Sequence, residues 1–210
     1  MRRSVALPPA LAAAALLGCG GAEVREDDVV PGDPDAPPSM VVLPSLDVPR
    51  DELTDRMRFG WTLAEESFQH AMPPAPPSGE TTDYQGWAEG DLRDWLERKQ
   101  HTVDSARREL DAAAEESHRQ RIMAGAIVGL MYEDVALALR DIPTPAALQT
   151  DMEIADIFRE ILEAQASPFL EHARRAYRAC ALNAEGGPET LAHWGRFCAA
   201  RKLELPEPRP

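Results

Sequence analysis

Residues 122–139 read "IMAGAIVGLMYEDVALAL", and this stretch decides the fold. It holds no proline and is apolar on nearly every face of a 3.6-residue helix. A helix that is apolar all round is a buried one, because no face is left that water would solvate well. The stretch therefore predicts a central helix with others packed around it. Gly125 and Gly129 lie four apart, on one face, where the missing side chains let a neighbouring helix come close. Glu133 and Asp134 interrupt the apolar run. They read first as a polar spot at a helix end or facing a groove, and second as a carboxylate pair for acid–base chemistry. A membrane span needs about 20 apolar residues, and the stretch reads as too short, and too polar at its ends, to be one.

Helical spacing continues on both sides. In "DELTDRMRFGWTLAEESFQHAM" the residues Leu53, Met57, Trp61, Ala64 and Phe68 recur every three or four positions, which is one helix face. Four prolines between Pro73 and Pro77 then mark a loop, expected over 73–90. Asp91 reads as the N-cap of the next helix. That helix carries Leu92, Trp95, Leu96, Val103, Ala106, Leu110 and Ala113, and Ser117 can break it. After "DIPTPAAL" helix is expected again from Pro145 or Ala146, with Ser167-Pro168 kinking or restarting it. "AEGGPE" separates it from a last helix bearing Leu191, Trp194, Phe197 and Cys198. No strand-like alternation competes. The expected fold is all-α, with antiparallel helical hairpins over 50–205 forming a stack or bundle.

The N-terminus reads differently. Arg2 and Arg3 precede an apolar run of signal-peptide length that stops at "LLGC". Leu16-Leu17-Gly18-Cys19 resembles the lipobox of bacterial lipoproteins. That resemblance implies a signal peptide over 1–18, cleavage before Cys19, and acyl chains (palmitate among them) on Cys19. Gly20, where an inner-membrane retention signal would place Asp, directs the expectation to the outer membrane, with the protein facing the periplasm. Residues 19–49 read as an acidic tether, with six prolines between Pro31 and Pro49; such a composition buries too little apolar surface to fold by itself. The net charge of −14 over 210 residues leaves no basic stripe for a phosphate backbone, so nucleic acid is not an expected partner. The expected contact with the membrane is the lipid anchor, because an acidic surface is not drawn to anionic headgroups.

Cys180 and Cys198 fall on facing sides of the last predicted hairpin, and an exported chain sits where disulfides persist. Counting helical rise from the predicted turn leaves them roughly 10 Å apart in depth. Two free buried thiols are the alternative. His70, His101, His118, His172 and His193 form no ligand-spaced pair, and no phosphate loop or nucleophile elbow appears, so no metal or cofactor is expected. Trp61, Trp95 and Trp194 sit at core spacing, whereas Trp87, in the expected loop, reads as a surface or groove residue.

Three segments, "GAIVGLMYEDVALALRDIPTP", "FREILEAQASPFLEHARRAYRACALNA" and "HWGRFCAARKLELPEP", resemble the C-terminal parts of tetratricopeptide-like envelope lipoproteins of myxobacteria and their relatives. Val128-Gly129 with Tyr132 matches part of the Leu-Gly-x-x-Tyr core of that repeat, although no 34-residue self-similarity runs through the chain. The resemblance implies stacked helix pairs that present a groove to a partner. The expected function is thus a lipid-anchored scaffold or adaptor whose partners are envelope proteins, and which is not an enzyme. The second reading is an envelope hydrolase acting on peptidoglycan, with Glu133 and Asp134, or Glu65 and Glu66, as its acids.

Overall fold

A computed structural model describes residues 49–187 and 189–205. Cys19, the expected signal peptide and nearly all of the expected tether lie outside the described residues. Among the described residues six α-helices follow in order: α1 (Asp55–Phe68), α2 (Thr81–Trp87), α3 (Arg93–Glu116), α4 (His118–Arg140), α5 (Met152–Ala184) and α6 (Ala192–Glu204). No strand occurs among the described residues, so the fold is all-α.

Local chemistry sets the boundaries. Thr54 caps α1, its Oγ1 accepting from the Met57 amide at 3.4 Å. Ser117 is extended, at φ −156° and ψ 155°, which ends α3. Its Oγ accepts from the Gln120 amide at 3.2 Å and starts α4 in the same residue. Asp151 caps α5 by accepting from Glu153 and Ile154, at 3.0 and 3.3 Å. A side chain that satisfies an otherwise unpaired first-turn amide is worth about 1 kcal/mol.

Consecutive long helices run antiparallel, and their contacts show the register. Gly60 of α1 meets Leu110 of α3. In the α4–α5 pair, Gly125 faces Cys180, Gly129 faces Tyr177, and Arg140 pairs with Glu163 at 2.8 Å. Helix α4 touches α1, α3, α5 and α6. Seventeen of its 23 residues are buried, so it is the centre that the apolar stretch predicted. The expectation about its length needs correction: starting at His118, it is long and apolar enough by length and composition to cross a membrane, and it spends that surface inside the bundle. The bundle also closes on itself, since Trp61 of α1 and Trp194 of α6 pack edge to face at 6.2 Å between ring centroids.

Three boundaries differ from expectation. The loop ends at Glu80, and residues 81–90 are helical: α2 runs through a π-helical turn, Ala88–Leu92, directly into α3, so Asp91 is no cap. The driving force is Tyr84 and Trp87, three residues apart, which bury together edge to face at 5.9 Å. Helix α5 begins at Met152 instead of Pro145. Residues 145–150 form turns held by the proline-rich loop before α2, whose Gly79 carbonyl accepts from the Ala147 amide at 3.2 Å. Gly79 has φ +68°, and a Cβ there would lie 2.6 Å from the Ala146 Cβ, so only glycine fits this strap. Pro168 lies inside α5 and does not restart it.

Cys180 and Cys198 are bonded, with Cα atoms 6.1 Å apart. The predicted depth mismatch came from placing the turn too early. The turn includes the 3-10 segment Glu189–Leu191. Ala184 with Gly195, Cys180 with Cys198, and Tyr177 with Arg201 each sit the same distance either side of Glu189, to within a residue. A loop closed over 18 residues gains about 3 kcal/mol in the chain-entropy account.

The closest helix contact supplies a test. A Cβ on Gly129 would lie 2.4 Å from Tyr177 Cε1, whereas one on Gly86 of α2 would meet nothing within 4 Å. Gly129→Ala should cost about 1–3 kcal/mol by overpacking. Gly86→Ala should be neutral or stabilising by up to about 1 kcal/mol. Denaturant titration reads both, and equal effects would mean that α4 and α5 do not approach as described.

Candidate functional site

Glu133 and Asp134 are neighbours on α4, so their side chains leave the helix about 100° apart and meet different partners. Glu133 is 3% exposed. It accepts from the Tyr177 hydroxyl at 2.5 Å and from Arg201 Nε at 3.2 Å, and a second Arg201 nitrogen reaches its other oxygen. Burial raises its pKa above the ordinary carboxylate value, with Tyr177 and Arg201 opposing that rise. Burial, together with the Glu133 charge, also holds the Tyr177 hydroxyl well above its usual pKa. Asp134 is 2% exposed and pairs with Lys99 of α3 at 3.4 Å. Lys99 is fully buried and also donates to the Ser67 carbonyl at the end of α1.

The two carboxylates therefore do not form a groove-facing or helix-end spot. They are interior, face separate helices, and are each matched by a cation. Glu133 ties α4 to α5 and α6, and Asp134 ties it to α3 and, through Lys99, to α1. Of the other acids considered, Glu65 accepts from Arg50 at 3.1 Å and from Trp61 Nε1 at 3.1 Å, while Glu66 is exposed. Trp87 is also corrected: it is 7% exposed and packs on Tyr84, because the segment around it is helix and not loop.

The structure brings together a different set of residues. A groove of about 450 Å³ runs along α4 between α3 and α5. Its floor takes Ala124, Gly125, Val128 and Tyr132 from α4, beyond Arg121. One wall is His172, Arg175, Ala176, Ala179 and Asn183 of α5, and the other is Arg107, Asp111 and Ala114 of α3. The α4 and α5 sets share one spacing, at steps of 0, 3, 4, 7 and 11, which is a single helix face over three turns. Eleven residues at 1.5 Å rise give a furrow about 16 Å long. At one end Arg107 donates to the Tyr132 hydroxyl at 3.0 Å and to Asp111 at 3.3 Å. Tyr132 stacks on His172 with centroids 4.8 Å apart. Burial and then the charges of Arg175 and Arg107 push the His172 pKa down, with Glu171 opposing. At the other end Arg121 Nε donates to the Ala114 carbonyl at 3.1 Å.

Arg107 and Arg175 lie on the polar faces of their helices and Arg121 in the polar first turn of α4, and in one dimension each looks like ordinary surface charge. The convergence depends on the antiparallel register of three helices, which no single segment encodes. Among the described residues no group of three or more His, Cys, Asp or Glu side chains is placed to hold a metal ion. Comparison with known proteins finds no match to the chain among family models, curated proteins or solved structures.

The interior pair gives the sharpest test of the arrangement. Lys99→Met leaves Asp134 buried without its cation and should cost about 3–5 kcal/mol. Adding Asp134→Leu should recover most of that loss, since an apolar pair of similar volume replaces a desolvated ion pair at little cost. Additive losses in the double variant, measured by denaturant unfolding, would show that the two side chains do not interact.

Proposed function

We propose that this protein is a lipid-anchored adaptor of the cell envelope. Cys19 carries the acyl anchor on the periplasmic face of the outer membrane, residues 19–49 are the tether, and the helical domain receives a partner protein in the groove between α3 and α5. The observation that carries this reading is the groove itself: an apolar floor three turns long with polar groups gathered at its ends, set on helices that a disulfide and buried ion pairs fix in place. Sites built on packed elements hold their geometry better than sites on loops. In this reading α3, α4 and α5 do what stacked helix pairs do in tetratricopeptide-like proteins, which is to offer a furrow to a peptide segment.

The hydrolase reading loses its principal support, because Glu133 and Asp134 are engaged by Arg201, Tyr177 and Lys99 in the interior. A carboxyl must reach the proton it transfers within hydrogen-bond distance, and neither acid opens on the groove.

Expression in a bacterial host with an outer membrane tests the anchor. The mature protein should fractionate with outer membranes and show the mass of an acylated N-terminal Cys19. Cys19→Ala should remain an uncleaved precursor or lose the acyl mass. A native protein whose Cys19 is unmodified would contradict the proposal.

A further inference from the structure

The chemistry of the groove points to a particular kind of partner, and this inference rests on the adaptor reading. We propose that the furrow between α3 and α5 is a docking site for an acidic amphipathic helix of the partner protein. Its small-residue face would lie over Gly125, Val128 and Ala176, and its carboxylates would meet Arg121 at one end and Arg107 and Arg175 at the other.

Charge complementarity is the first argument. The chain as a whole carries −14, yet the groove sets three arginines against one aspartate. Arginine gathered where the rest of the surface is acidic selects a narrow anionic ligand. A broad anionic object, such as a bilayer surface, would meet the acidic remainder of the molecule and be repelled. Shape is the second argument. The floor and one wall repeat the same three-turn spacing, and the furrow follows the helix axes for about 16 Å. A helix laid in a groove is read through anchors at i, i+3, i+4 and i+7, and this lining offers that periodicity from its own side. A single small carboxylate would be too short to engage both the Arg121 end and the Arg107 end. The third argument is the floor: Ala124, Gly125, Ala176 and Ala179 bring a ligand backbone close, where bulky side chains would hold it off.

The experiment titrates the full mature chain with three 16-residue helix-forming peptides, alike except that one carries glutamates at steps of four and seven, one glutamines and one lysines. The glutamate peptide should bind at least about tenfold more tightly than the other two, with affinity falling as salt rises. Arg121→Glu with Arg175→Glu, both exposed positions, should remove that preference while leaving the circular dichroism and melting unchanged. The His172 imidazole, followed by NMR, faces Arg107, Arg175, Glu171 and Tyr132. Its pKa should rise on binding, because incoming carboxylates offset the two arginines. Equal binding of the glutamine peptide, or full binding by the double variant, would overturn the proposal. So would displacement of the peptide by anionic phospholipid vesicles, which would assign the arginines to a lipid surface. Binding that emerges only after Glu26, Asp27 and Asp28 are neutralised would give the groove to the chain's own acidic segment, and would overturn the partner assignment. If wild type and double variant capture the same native partner equally, the groove proposal falls and the adaptor reading stands.

Discussion

The structure depends on burying a helix that carries two carboxylates. Helix α4 is packed between α1, α3, α5 and α6, and a wholly apolar helix in that position would have little to fix its rotation about its own axis. Glu133 and Asp134 remove that freedom. Each would be costly if left unpaired in the interior, so α4 is acceptable only in the rotation and register that brings Glu133 to Arg201 and Tyr177, and Asp134 to Lys99. The cations come from α3 and α6, which lie far apart in the chain, so the two pairs together specify the arrangement of the bundle. Their contribution is to uniqueness more than to net stability, because the desolvation of each ion offsets much of its attraction.

The glycines of α4 act in the same direction. With no Cβ at Gly125 and Gly129, α5 settles against α4 with Tyr177 over one glycine and Cys180 beside the other. That places the Tyr177 hydroxyl on Glu133 and the Cys180 sulfur where α6 can reach it. Gly195 repeats the device, since a Cβ there would lie 2.6 Å from that of Ala184. The disulfide, the Arg201–Glu133 pair and the Trp61–Trp194 contact then hold α6, a terminal helix that would otherwise have few neighbours. Beside the α4–α5 contact the packing of α3 and α5 on α4 leaves the shallow furrow, whose middle is floored by Ala124, Gly125, Val128 and Ala176.

Much of the fold was legible in the sequence for one physical reason: burial of a helix face imposes a 3.6-residue spacing that survives in the residue order. The central position of α4, the Ser117 break and the core roles of Trp61, Trp95 and Trp194 all follow from it. The misplaced features depend on contacts between distant segments. Residues 81–90 look like loop because Gly86, Gly90 and nearby prolines dominate locally, yet pairing Tyr84 with Trp87 in the core outweighs them. The start of α5 is delayed by a strap from Gly79, which is 67 residues distant from Ala146 in the chain. The interior acids resembled a helix-end or groove-facing spot because their cations, Lys99 and Arg201, lie on other helices, 35 and 68 residues away, and only the fold brings them together. The residues that line the groove needed three helices in register and were not legible.

Helix α4 is the element against which α1, α3, α5 and α6 all pack. Native-state hydrogen exchange measures that most directly. The amides of residues 122–139 should exchange only through global unfolding and be the slowest in the chain, with those of α1 and α6 opening at lower free energy. Faster exchange in α4 than in α1 or α6 would contradict the account, because it would mean that the central helix opens while its surroundings stay folded.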